Sequence, residues 1–128
     1  MKHEEFKIQQ QVCKYLNLKH PHILFYSDTI ASVKLTEFQA YRNKTIQKEG
    51  FKLPDLIIFY PSKEYKALFI ELKIKSPFKK NGEIYKDEHL EGQQRSINDL
   101  SNLGYYATFS VGYEQTIQII EDYLNENL

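Results

Sequence analysis

Residues 54–74 read PDLIIFYPSKEYKALFIELKI. Leu56–Tyr60 and Ala67–Ile74 are short, apolar runs of strand-like composition, and the turn at Pro61–Glu64 between them predicts a β-hairpin. Both runs are apolar on both faces, which predicts a sheet covered on both sides. Three polar residues stand against this background: Asp55 borders the first run, while Glu71 and Lys73 lie inside the second. Side chains alternate along a strand, so Glu71 and Lys73 share a face. With the turn centred near residues 62 and 63, Asp55 falls opposite residue 70 or 71. The pairing with Glu71 gathers two carboxylates and an ammonium on one side, and a slip of one residue sends Asp55 to the other face.

Two carboxylates in an apolar sheet are costly. Like charges about 4 Å apart repel by roughly 4 kcal/mol at an effective dielectric of about 20, and desolvation adds to this. Lys73 offsets only part of that cost, whereas a divalent cation reverses its sign. Oxygen ligands with open positions suit Mg²⁺, with Mn²⁺ as a substitute, rather than zinc. A cation held by Asp55 and Glu71 would lower the pKa of a bound water and polarise a phosphoryl oxygen. Lys73 is then placed to orient the water or to stabilise charge developing on the phosphate. The expected chemistry is in-line hydrolysis of a phosphodiester.

Working outward, residues 3–18 have helical periodicity through Glu5, Ile8, Val12 and Leu16, widened by Phe6, Cys13 and Tyr15. Glu5 heads the apolar stripe instead of lying on the polar face. Ile23–Tyr26 is a possible strand. Residues 36–49 read as a helix, with Thr36 as N-cap and Gly50 past its end. After the hairpin come a basic loop (75–88), a helix over 89–103 stopped by Gly104, a strand over 105–111 and an amphipathic helix over 114–124. The order α–(β)–α–β–β–α–β–α predicts an α/β (α+β) fold, a mixed central sheet flanked by helices.

The 128 residues fit one domain, residues 1–128. The 17 basic and 17 acidic residues cancel, so any nucleic-acid surface must be local. Lys75, Lys79 and Lys80 flank the acidic pair, and Arg42, Lys44 and Lys48 lie on the 36–49 helix; both groups are candidates for phosphate contact. The lone Cys13 excludes an internal disulfide and a cysteine-rich zinc cluster. His3, His20, His22 and His89 lack metal-ligand spacing and read as surface or cap residues, with His89 the nearest to the acidic group. No apolar run is long enough to span a membrane, and a cytoplasmic, intracellular protein is expected.

Pro54-Asp55 followed by Glu71-Leu72-Lys73 resembles the PD-(D/E)XK nuclease signature, and the surroundings resemble its VRR-NUC branch, the virus-type replication-repair nuclease module. Gly50 precedes the PD element, as in that branch, although across a longer gap. The first helix carries Glu5, Ile8 and Gln9 in the family's E-x-x-I-Q pattern, and Gln93 leads a helix ending in the L-x-x-x-G-Y pattern of Leu100, Gly104 and Tyr105. The resemblance runs from Glu5 to Leu124, with an insertion at about 28–50.

The resemblance implies a restriction-endonuclease-like core and a metal-dependent DNA endonuclease. It further implies that Asp55, Glu71, the backbone carbonyl of Leu72 and Glu5 ligate the metal, that Lys73 is the catalytic lysine, that Gln93 supports it, and that Glu5 completes the acidic site from the first helix. Glu4 competes with Glu5, and Gln94 with Gln93. By the same resemblance the substrate is branched DNA such as a Holliday junction, met during repair by a homodimer. The alternative is a non-catalytic nucleic-acid-binding module of the same fold.

Overall fold

A computed structural model describes residues 2–28 and 34–128. In chain order the elements are α1 (Lys2–Lys19), β1 (Leu24–Ser27), α2 (Glu37–Thr45), β2 (Leu56–Phe59), β3 (Leu68–Lys73), α3 (Glu88–Asn102), β4 (Tyr106–Val111) and α4 (Gly112–Leu124). This is the expected order, including the strand over 24–27. Residues 29–33 of the expected insertion lie outside the described residues, as does the side chain of His3.

The described strands form one mixed sheet in the order β1-β2-β3-β4. β1, β2 and β3 are antiparallel neighbours, and β4 runs parallel to β3. Such a parallel pair needs a long crossover, which α3 supplies. Alternation along β2 and β3 sorts the core into two faces. Leu56, Ile58, Leu68, Ile70 and Leu72 pack with Val12 and Leu16 of α1 and with Ile120 and Tyr123 of α4. Ile57, Ala67 and Phe69 pack on the opposite face with Leu100 of α3. At about 25 cal/mol per Å² of apolar surface removed from water, these two layers supply most of the driving force for folding.

Coverage on both sides holds for β3 but not for the whole sheet. α3 is one helix and does not reach the β1 edge, so Leu24, Tyr26 and Phe59 stay more than half exposed on that face. Phe6 is also exposed, which narrows the apolar stripe of α1.

α2 begins as expected. Thr36 accepts from the Gln39 N–H while the Gln39 side chain accepts from the Thr36 N–H, a full capping box. It ends at Thr45 with Ile46 as C-cap, short of the expected Glu49. No residue of α2 is buried, so little packing holds a last turn that propensity alone leaves marginal. Asp87 caps α3 at its N-terminus, its carboxylate accepting from the Leu90 N–H.

The hairpin turn differs from its expected centre. Ser62 and Tyr65 exchange backbone hydrogen bonds around Lys63 and Glu64, with Lys63 in the left-handed region (φ 51°). A turn centred there would, by simple continuation, put Asp55 opposite Leu72. The strands nevertheless pair Leu56 with Ile70 and Ile58 with Leu68. Phe59, Tyr60 and Pro61 therefore face only Lys66 and Ala67, a one-residue bulge. That extra residue returns Asp55 to the level of Glu71. α4 pins it from both sides: the buried Tyr123 donates its hydroxyl to the Tyr60 carbonyl at 2.6 Å, and Ser62 Oγ donates to the Tyr123 carbonyl.

Candidate active site

Glu71 sits near the C-terminal end of β3, on the face that packs against α3, and is 6% exposed. Gln93 of α3, 7% exposed, donates from Nε2 to Glu71 Oε2 at 3.0 Å. Asp55 precedes β2 and is fixed by the Leu72 N–H, which donates to Asp55 Oδ2 at 2.9 Å. A strand residue's N–H and C=O leave the strand on the same edge, so the Leu72 carbonyl also faces the Asp55 side. Lys73 lies two residues beyond Glu71 on the same face, with its ammonium 6.0 Å from the centroid of the Phe109 ring.

Glu5 comes from the first turn of α1, a helix whose Val12 and Leu16 pack on the opposite face of the sheet. With Asp55, Glu71, Lys73 and Gln93 it lines one cleft of about 700 Å³. The open alternatives separate here. Glu4 is exposed and does not line the cleft, and Gln94 is occupied on the surface of α3, donating to Asn98 at 2.9 Å. Lys75, Lys79, Lys80 and Arg42 are exposed and do not line it either; Arg42 lies over the Phe38 ring on α2. Tyr26, Asp28, Asn43, Gln47, Lys52 and His89 do line it, none of which the motifs assigned.

The electrostatics follow from burial. Burial first, then the charge of Asp55 and a hydrogen bond between the two carboxyls, push the Glu71 pKa up to about 10, with Lys73 opposing. Burial also raises Glu5; Lys73 opposes that shift and Asp55 adds to it. Two carboxyls thus face each other in the cleft with Glu71 biased toward its protonated form, an arrangement that a cation stabilises by displacing the proton.

The donors present fit a hard divalent ion: two carboxylates, a backbone carbonyl and the buried Gln93 Oε1, which has no hydrogen-bond partner among the described residues. Among the described residues no three His, Cys, Asp or Glu side chains converge as a ready cage. An ion here would rest on Asp55 and Glu71, completed by backbone oxygen and water, as Mg²⁺ commonly does, with Glu5 lining the same cleft.

No family model matches the chain, and no curated protein does. Among solved structures, a protein described as a VRR_NUC domain protein matches with probability 1.00 and a TM-score of 0.60. The match covers 95% of this chain and 88% of that one at 23% sequence identity. The chain has the VRR_NUC fold. The likeness spans nearly every described element, so the α+β architecture implied by the PD and E-x-K elements is the one adopted. In this VRR_NUC fold the hairpin, α3 and the start of α1 meet at the acidic cleft.

Proposed function

We propose that this chain is a divalent-metal-dependent endonuclease that hydrolyses DNA phosphodiester bonds, with Mg²⁺ as its ion and Mn²⁺ able to replace it. The observation that carries the reading is the convergence of Asp55, Glu71, Lys73, Gln93 and Glu5 on one cleft, with the buried Glu71 held between Asp55 and Gln93. A salt-bridged hairpin would not bury one carboxyl against another carboxyl.

Asp55, Glu71 and the Leu72 carbonyl are the ligand set. The cation, when bound, supplies Lewis-acid polarisation of the phosphoryl group and a more acidic water. Asp55 is held in place by the Leu72 N–H, and Gln93 fixes the Glu71 carboxyl. Lys73 donates toward the negative charge that grows on the phosphate oxygens. Glu5 lines the same cleft and is a further candidate ligand. Branched DNA as substrate, a role in repair and a homodimer presenting two sites extend the same reading by analogy with the VRR_NUC fold. Among the described residues no helix is long and apolar enough to cross a membrane.

The test is to incubate the purified chain with a four-way junction, linear duplex and single-stranded DNA in Mg²⁺, Mn²⁺ or EDTA, beside Asp55→Ala and Lys73→Ala. Metal-dependent cleavage lost in both variants is expected. Cleavage in EDTA, or cleavage that survives both substitutions, refutes the reading. Binding without cleavage under every condition replaces it with the non-catalytic module.

A further inference from the structure

We infer that Lys52 and His89 form a phosphate-binding pair on the wall of the same cleft, taking a backbone phosphodiester of the nucleic-acid strand that enters it. The identity of the ligand rests on the nuclease reading; the site itself rests on how the two side chains are built.

Lys52 is anchored at its backbone. Its N–H donates to Ser96 Oγ at 2.8 Å, and the buried Ser96 hydroxyl donates in turn to the Gly92 carbonyl at 3.2 Å. The Lys52 side chain then lies across α3 at Gly92, where an added Cβ would meet Lys52 Cε at 3.3 Å and Nζ at 3.4 Å. A glycine inside a helix costs roughly 0.5–1 kcal/mol relative to alanine. At Gly92 the lysine end lies against the helix, where an added methyl would make it shift by a few tenths of an ångström.

The ammonium ends 2.9 Å from His89 Nδ1. A lysine ammonium has only donors, so Nδ1 accepts and the ring proton sits on Nε2. Burial, with the charges of Lys52 and Lys73, holds the imidazole below its ordinary pKa and keeps Nδ1 able to accept. Lys52 therefore leans on a neutral ring, and among the described residues no carboxylate pairs with it. Lys52 and His89 both line the cleft that Asp55, Glu71 and Lys73 line, so the pair brings a cation and a ring N–H donor to its wall. A monoanion with several acceptor oxygens matches that donor set.

The experiment measures binding and not cleavage. Fluorescence anisotropy with a labelled linear duplex in EDTA, across a salt series, is recorded for the parent chain, Lys52→Met, Lys52→Arg and His89→Ala. Methionine keeps the apolar stem over Gly92 and removes the charge. Loss of one phosphate contact lowers the slope of log Kd against log salt by about 0.9. Lys52→Met is expected to show that drop with binding weakened about three- to tenfold. Lys52→Arg keeps the parent slope, and His89→Ala weakens binding while changing the slope less than Lys52→Met does.

Equal slopes and affinities for the parent and Lys52→Met overturn the inference. So does weaker binding of Lys52→Met at an unchanged slope, or a parent that does not bind. Should Lys52→Met unfold, an affinity of His89→Ala equal to the parent's overturns it alone. A chain that never cleaves yet shows the slope change keeps this site and loses the nuclease reading; normal cleavage with an unchanged slope does the reverse.

Discussion

Replacing Glu71 by glutamine should make the protein more stable, by an amount that depends on pH. In the unfolded chain Glu71 titrates at its ordinary value of 4.5, whereas in the fold burial and Asp55 push it up to about 10. At neutral pH the unfolded chain carries the group ionised and the folded chain carries it protonated, so folding takes up a proton. The cost at pH 7 depends on the distance between 4.5 and 7, not on how far above 7 the folded value lies. At roughly 1.36 kcal/mol per pH unit this is about 3 kcal/mol. The folded state binds more protons throughout this window, so stability is fully present below 4.5 and is lost as pH rises toward the folded value. Glutamine is nearly isosteric and keeps an oxygen for the Gln93 Nε2 donor, and it has nothing to titrate. Urea unfolding in EDTA, followed by circular dichroism because the chain has no Trp, should show Glu71→Gln about equal to the parent near pH 4. It should be about 3 kcal/mol more stable at pH 7, with a wider gap at pH 8.5. Mg²⁺ should then raise the stability of the parent and leave the variant unchanged, since an ion that binds only the folded state stabilises it. A variant no more stable than the parent at pH 7, or a difference that stays constant with pH, would refute the buried-acid description of the site.

Asp55→Ala leaves the Leu72 N–H without its acceptor and should cost about 1–3 kcal/mol by urea unfolding; Asp55→Asn keeps an acceptor oxygen and should stay close to the parent. At the far end of the molecule, Tyr15 and His20 reach Glu121 at 2.5 and 2.6 Å, tying α1 to α4. Burial raises the Glu121 pKa, but the hydrogen bonds from Tyr15 and His20 outweigh it and hold the carboxyl below its usual range. That stability is present above pH 4.5 and lost as pH falls through the folded value, so Glu121→Gln should cost about 1 kcal/mol at pH 7 and much less at pH 3. Tyr123→Phe removes the hydroxyl that holds the Tyr60 carbonyl; it should cost about 1–3 kcal/mol, and hydrogen exchange should quicken at the Ser62 and Tyr65 amides first.

The parts of the site that strands and helices carry were legible in the sequence, because their periods are fixed. Period-2 alternation put Glu71 and Lys73 on one face, and the 3.6-residue period put Glu5 in line with Val12 and Leu16. Neither period could choose between Gln93 and Gln94, since both sit on one helix and only packing decides which is buried; Gln93 is, against Glu71. Lys52 and His89 were not legible at all. They lie far apart in sequence, on a loop and a helix start, and meet only because Ser96 and Gly92 lay the Lys52 segment along α3. The basic residues that looked relevant by proximity in sequence, Lys75, Lys79 and Lys80, belong to a separate small loop in which Phe78 bridges to Ile84, outside the cleft.

The register of the hairpin is where sequence and structure agree for a reason the sequence did not display. Pairing Asp55 with Glu71 was one of two outcomes allowed by a turn near residues 62 and 63. The turn lies one residue further on, at Lys63 and Glu64, and would by itself have turned Asp55 away from Glu71. The bulge at Phe59–Pro61 compensates. Proline has no N–H to contribute to a ladder and is tolerated at such a bulge; Phe59, which alternation puts on the α3 face, is beyond the reach of that helix. The compensating residue is held by Tyr123, on the far side of the sheet from the acidic pair and one residue from the end of α4. A single buried hydroxyl on the last helix thus helps to set which face Asp55 occupies, so the candidate metal pair depends on the packing of α4 as well as on the hairpin that carries it.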